Sequence, residues 1–122
     1  SKTGRKALLN ADFVISPLKP SQADLDTVLD LDDIMQEAKS INKKLKSFCV
    51  LNMCATHPKD KERAESLELL QQAGLKSTVI EEPIFDRKIL RTSFSEGGSC
   101  FEVKANKSAD EIAVVLQKIL GV

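Results

Sequence analysis

At 122 residues the chain suits one domain with a modest core and is too short for a second independent one. Hydrophobic residues make up 42% and charged residues 30%, the composition of a soluble globular protein, and no apolar run approaches the roughly 18 residues that a membrane span needs. Lys plus Arg and Asp plus Glu both count 18, a balance that decides nothing about nucleic acid, because binding depends on a local patch rather than on the total.

The three cysteines, Cys49, Cys54 and Cys100, are odd in number and widely spaced, with no C-x-x-C pair. This pattern points to buried thiols in a reduced, cytosolic protein. The only histidine, His57, lies beside Pro58 in a loop, which argues against a zinc site. No signal peptide is visible, and the start "SKTGRKALLNA", without Met, reads as a processed or cloned fragment.

In chain order, Thr3 to Asn10 reads as the end of a helix. Phe13, Val14 and Ile15 form a short apolar run, the mark of a strand covered on both faces. Ser21 is placed to cap a helix running to about Leu45, with Asp24 three residues on as a variant capping box. Leu25, Val28, Leu29, Leu31, Ile34, Met35, Ala38, Ile41 and Leu45 form its apolar stripe. Its acidic beginning (Asp24, Asp26, Asp30, Asp32, Asp33) and basic end (Lys39, Lys43, Lys44, Lys46) complement the macrodipole. Asp32 and Asp33 are adjacent, so their side chains diverge by about 100° on a helix. That spacing suits a solvated face better than an acid/base pair.

"SFCVLNMC", Ser47 to Cys54, is a second apolar strand that ends in polar Asn52. A loop and a helix follow, from about Lys59 to Ala73, closed by Gly74 in the position of a left-handed cap. Thr78 to Ile80 is a third strand. A short helix broken by Gly97 and Gly98 precedes a final helix, for which Ser108 and Glu111 form a capping box and Ile112, Val115, Leu116 and Ile119 an inner stripe. Strands alternating with helices predict right-handed crossovers and a parallel α/β sheet with helices on both faces. Pro17, Asn52 and Pro83 then end their strands on one edge, the edge where open α/β sheets place ligands.

The usual chemistry of such an edge is missing. The five glycines form neither G-x-x-x-x-G-K-[ST] nor G-x-G-x-x-G, so no loop of bare N–H groups is available to cradle a phosphate. No acidic residue ends an apolar strand, and there is no nucleophile elbow. Ser99 and Cys100 sit beside glycines, but a catalytic pair would have to use the lone His57.

"NADFVISPLKPSQADLD" resembles the segment that follows switch II in ParA/MinD-type partition ATPases, a "aDxVIiPvxPSpxDl" pattern joining a core strand to a helix. "IFDRKILRTSFSEGGSCFE" is similar to the family's distal segment, with an Arg after the last core strand, a short helix, a Gly-rich step and an acidic residue. "FCVLNMC" occupies the place of the strand that ends in an Asn near the adenine. The resemblance runs from Lys6 to Leu120. The deviant Walker A loop and the Walker B and switch II aspartates would all lie upstream of Ser1. It therefore implies a single unit, 1–122, that is the C-terminal half of a P-loop NTPase (SIMIBI-type) fold and lacks both Walker motifs.

The same resemblance implies roles, each beside an ordinary alternative. Asn52 takes the adenine-edge position, where an amide both donates to and accepts from a purine, or simply ends a strand. Pro83, Ile84 and Phe85 wall the base, or end a strand and fill the core. Arg87 takes the arginine position beside the nucleotide, or pairs with Asp86 or Glu82 at the surface. Pro20, Ser21 and Asp24 take the loop that faces the nucleotide or the dimer partner, although capping alone also accounts for Ser21 and Asp24. Lys88, Arg91, Lys104 and Lys107 are candidate DNA phosphate contacts, or a solvated face.

For the full-length parent the family implies ATP with Mg2+, a homodimer, slow hydrolysis stimulated by a centromere-binding ParB-like partner, non-specific DNA binding, and a cytoplasmic, nucleoid-associated place in a bacterium. Two competitors stand beside this reading. A stand-alone α/β interaction module of receiver type would need acidic strand ends, whereas these end at Pro17, Asn52 and Pro83. A MinD-like membrane-site ATPase would finish in a basic amphipathic helix, whereas "ADEIAVVLQKILGV" has one lysine and two acids. A half-domain would also leave one strand edge open, to be paired by the missing N-terminal half or by self-association.

Overall fold

The strand that the rest of the molecule is built on is the most buried one. The computed structural model describes residues 2–122 as α1 (Lys2–Asn10), β1 (Phe13–Leu18), α2 (Gln22–Asp26), α3 (Val28–Ile41), β2 (Lys46–Leu51), α4 (Glu62–Gln72), β3 (Thr78–Ile80), α5 (Lys88–Ser95), a 3-10 turn (Cys100–Glu102) and α6 (Lys107–Leu120). Every residue of β2 after Lys46 is buried. It lies between the other two strands in the order β1-β2-β3, parallel to both, with Phe13 opposite Lys46, Leu18 opposite Leu51, and Phe48 opposite Thr78.

Alternation along β2 splits its side chains between two cores. On one face Cys49 and Leu51 pack with Leu18, Val28, Cys54 and Leu70, so α3 and α4 cover this side. On the other, Phe48 and Val50 pack with Ile80 and with Val115 and Ile119 of α6. Helices thus lie on both faces of a parallel sheet. Leu51 and Leu70 are almost fully enclosed, and each contributes roughly 2 kcal/mol by leaving water. The three thiols are free and buried, and burial pushes Cys49 and Cys54 up to about 11.

β1 departs from its expected two-sided cover. Phe13 and Ile15 stay 39% and 41% exposed, because the apolar residues of α6 meet β2 and β3 and leave the same face of β1 bare. The expected long helix from Ser21 is two helices. Ser21 does cap it, accepting the Asp24 N–H at 3.4 Å, but Thr27 turns its hydroxyl back to the Asp24 carbonyl at 2.8 Å and breaks the run. The second part stops at Ile41 rather than near Leu45, because buried Asn42 donates its side-chain amide to the carbonyls of Leu8 and Ala11. Ile41 and Leu29 consequently fall off the inner stripe and are exposed.

Two local readings are corrected by hydrogen bonds to distant or unexpected partners. α6 is capped by Asn106, whose side-chain oxygen accepts the Ala109 N–H at 2.9 Å, two residues before the expected Ser108, and Ser108 is fully buried. Asp32 is not solvated: it is 7% exposed and accepts the backbone N–H groups of Lys76 (2.8 Å) and Ser77 (3.0 Å), tying α3 to the entry of β3. Gly74 adopts the expected left-handed cap, with φ of 72°, and the structure ends α6 the same way at Gly121, with φ of 74°.

Burial alone would raise the Asp32 pKa, but the hydrogen bonds from Ser77 and Lys76 outweigh it and hold the group below the usual carboxylate value. A folded pKa below the unfolded one of about 3.9 means that the stabilisation is fully present above about pH 4. It is lost as pH falls through the lower folded value. Asp32→Asn should cost about 1–3 kcal/mol at neutral pH and flatten the acid side of the stability profile, measured by urea unfolding across pH. An unchanged acid limb would show that Asp32 carries no such linkage.

Candidate functional site

All three strands point their carboxyl ends to one edge, and that edge is knitted together beyond the strands themselves. The Asn52 N–H donates to the Leu18 carbonyl at 2.8 Å, joining the ends of β2 and β1. The Ile84 N–H donates to Leu51 at 2.9 Å, the Cys54 N–H to Ile84 at 3.1 Å, and the Asp86 N–H to Cys54 at 2.8 Å. Residues 84–86 therefore resume the pairing that β3 leaves at Ile80, with Cys54 and Phe85 as parallel bridge partners. Pro17, Asn52 and Pro83 do lie on this one edge.

Asn52 is half-buried, and its side-chain amide has no hydrogen-bond partner among the described residues. Met53 beside it has φ of 55°, a left-handed conformation that costs a non-glycine residue on the order of 1 kcal/mol. The kink turns Met53 outward, 48% exposed, and sends Cys54 into full burial. Asn52 is thus held by its backbone while its amide is left uncommitted.

The other wall is already packed from behind. Ile84 contacts the core on the α6 side and Phe85 the core on the α3–α4 side. The Phe85 ring also carries two guanidinium groups, Arg87 at 5.1 Å and Arg63 at 5.5 Å from its centroid. Arg87 does not pair with Asp86 or Glu82. It forks onto Glu111 of α6, Nε to Oε1 at 3.0 Å and Nη2 to Oε2 at 2.8 Å, and these bonds raise its pKa above the ordinary value. The extended backbone at Arg87 accounts for this, because neighbouring side chains in such a segment point to opposite sides. Asp86 pairs with Arg91 instead, and Glu82 with Lys118 at 3.6 Å.

The remaining candidates scatter around this edge. Pro20 is buried, and the loop after β1 closes on itself, with Asp24 Oδ2 accepting the Lys19 N–H at 2.9 Å and Ser21 capping in return. Capping therefore occupies both Ser21 and Asp24. Lys88, Lys104 and Lys107 are exposed, while Arg91 is engaged by Asp86. Clefts of about 170 Å³ between α1 and α3, and about 370 Å³ between the α2–α3 corner and α4, lie elsewhere, and neither is lined by Asn52, Pro83, Phe85 or Arg87. No helix among the described residues is long and apolar enough to cross a membrane.

The sequence does not single out Arg63, and it marks Glu111 only as a capping residue. Arg63 is one cation in the charged run "KDKERAE", and Glu111 carries a capping spacing that it does not use. Nothing local marks a partner 24 residues away.

The chain is similar to the maintenance of carboxysome distribution protein A of Halothiobacillus neapolitanus, at 27% identity over 115 residues. The match covers 93% of this chain and 51% of that protein, so the chain spans about half the length of the curated relative. No family model matches. The similarity supports a relationship of ParA/MinD type.

Removing the Glu111 carboxylate leaves the Arg87 guanidinium part-buried and unpaired beside Phe85. Glu111→Ala should therefore cost about 1.5–3 kcal/mol in urea unfolding, with Glu111→Gln intermediate. A loss within about 0.5 kcal/mol would place this contact among ordinary surface pairs.

Proposed function

We propose that the chain is the C-terminal half of a ParA-like partition ATPase domain and supplies the adenine side of its ATP site. The observation that carries this reading is Asn52: a half-buried amide, fixed by its backbone N–H on the Leu18 carbonyl at the carboxyl edge of the sheet, with no side-chain hydrogen-bond partner among the described residues. An amide so placed can donate to and accept from a purine edge. The half-buried segment from Pro83 to Phe85 lies against the same ladder and offers the base an apolar wall, while Arg87, forked onto Glu111, brings a fixed positive charge to its border. The similarity to a protein of carboxysome distribution supports a partition-type role.

In the complete protein the phosphates and Mg2+ would be held by a Walker A loop and Walker B aspartate outside these 122 residues. The loop of Pro20, Ser21 and Asp24 would face the nucleotide or the second subunit of a homodimer. Lys88, Lys104 and Lys107, with Arg91 where Asp86 releases it, would contact DNA phosphates without sequence preference. A centromere-binding ParB-like protein would be the stimulating partner, and the nucleoid the place of action. ATP would supply, once bound, the phosphoryl chemistry that drives the dimer cycle.

None of the groups that stabilise a transferred phosphoryl is in the sequence, so residues 1–122 alone should bind adenosine weakly and turn over no ATP with Mg2+. Nuclear magnetic resonance titration with adenosine should shift the Asn52 side-chain amide, and Asn52→Ala should weaken binding about tenfold, the loss of roughly one hydrogen-bonded contact. Clear Mg2+-dependent turnover, or adenosine binding that ignores Asn52→Ala, would contradict the assignment.

A further inference from the structure

The net charge of zero hides an uneven distribution. At the amino edge of the sheet the entries of the three strands lie side by side: the Asn42 side chain donates to the Ala11 carbonyl, the Lys46 N–H to the Asp12 carbonyl, and the Ser47 and Ser77 hydroxyls meet at 2.7 Å. The charged residues of these entries and of the last turn of α3 are Asp12, Lys39, Lys43, Lys44, Lys46 and Lys76, five cations against one acid, and all five lysines are exposed. Lys44 pairs with Asp12 at 3.2 Å, and among the described residues no carboxylate lies within ion-pair distance of the other four. The register that sets Phe48 opposite Thr78 brings Lys46 beside Lys76, about 5 Å apart between neighbouring backbones. Like charges so placed repel, and an anion between them relieves the repulsion. The lysines of α5 and α6 differ in this respect, because Asp86, Glu96, Glu102 and Asp110 alternate with them.

We propose that the amino edge binds the sugar–phosphate backbone of a nucleic acid through Lys39, Lys43, Lys46 and Lys76. The contacts are to phosphates, so they carry no sequence preference. The base from which the lysines project is fixed within this chain: β2 is paired on both sides, and buried Asn42 spends both amide hydrogens on the carbonyls of Leu8 and Ala11. Nothing that adjoins β1 changes that. A lipid surface suits the edge less well, because the apolar residues that would enter it are turned away. Leu45 is 1% exposed, and Ile41 lines the cleft between α1 and α3, about 200° around the helix from Lys39. Each lysine that neutralises a phosphate releases a counterion, so four contacts give a slope of log affinity against log salt of about −3.6. Affinity then falls on the order of 100-fold between about 50 and 200 mM salt. The site lies on the edge opposite Asn52 and is independent of the nucleotide reading.

Fluorescence anisotropy of the full chain with a short labelled DNA duplex of mixed sequence, repeated across a salt series, reads this slope. Lys43→Gln/Lys46→Gln should reduce its magnitude by about 2 and weaken binding about tenfold or more at low salt. Circular dichroism and the urea midpoint of that variant should match the parent, since both side chains are exposed. Lys88→Gln/Lys104→Gln/Lys107→Gln reports on the other lysines in the same assay, so the two surfaces are judged separately. An unchanged slope in Lys43→Gln/Lys46→Gln would overturn the proposal, whether the duplex then depended on the second variant or on neither. So would a parent chain that leaves the duplex free at low salt; binding to phosphatidylserine vesicles in its place would give the edge to a membrane.

Discussion

Everything placed at the carboxyl edge depends on β2 being paired on both sides. Its residues contribute to both cores, and its backbone gives the edge a common origin: Asn52 reaches back to β1, and Leu51 and Cys54 accept and donate to the segment 84–86. A loop held by isolated side-chain contacts would leave Asn52 free to swing. Here the loop is a continuation of the ladder, so the position of that amide is set by the same hydrogen bonds that set the strands. The left-handed turn at Met53 is the local strain that this arrangement tolerates.

A second layer of ties links the edge to the helices. Glu111 holds Arg87, Arg87 lies over Phe85, and Phe85 packs into the core beneath α3 and α4. The ion pair is partly shielded, with side chains 25% and 20% exposed, which sets it apart from the surface pairs Lys44–Asp12 and Lys118–Glu82. The start of α6, which carries Lys107, is thereby fastened to the segment beside Asn52. Asp32 does the equivalent work on the other side, fixing α3 to the entry of β3 through two backbone N–H groups.

Periodicity carried much of this architecture. The apolar runs at Phe13, Phe48 and Val79 became parallel strands, Gly74 ended its helix as a left-handed cap, and the strand ends converged as expected. What sequence pattern could not convey was pairing over distance. Asp32 looked like one acid among several on a polar face, but its partners are backbone groups 44 and 45 residues away. Glu111 fitted a local capping spacing and was used for a remote arginine instead. The uneven cover of β1 was equally hidden, since an apolar run announces burial without saying which helix supplies it. At the candidate site, Asn52 stands out through the family resemblance, while its pattern alone fits an ordinary strand end, and Arg63 lies unmarked in a charged run.

The central claim is that the carboxyl edge is a preformed extension of the sheet that holds Asn52 in place. Native-state hydrogen exchange of the amides of Asn52, Cys54, Ile84 and Asp86 tests it most directly. The account predicts that these four exchange only through the same large opening that exposes Cys49 and Val50 in β2, with equal dependence on denaturant. Exchange of the four at the rate of the exposed loop 55–59, independent of denaturant, would contradict it.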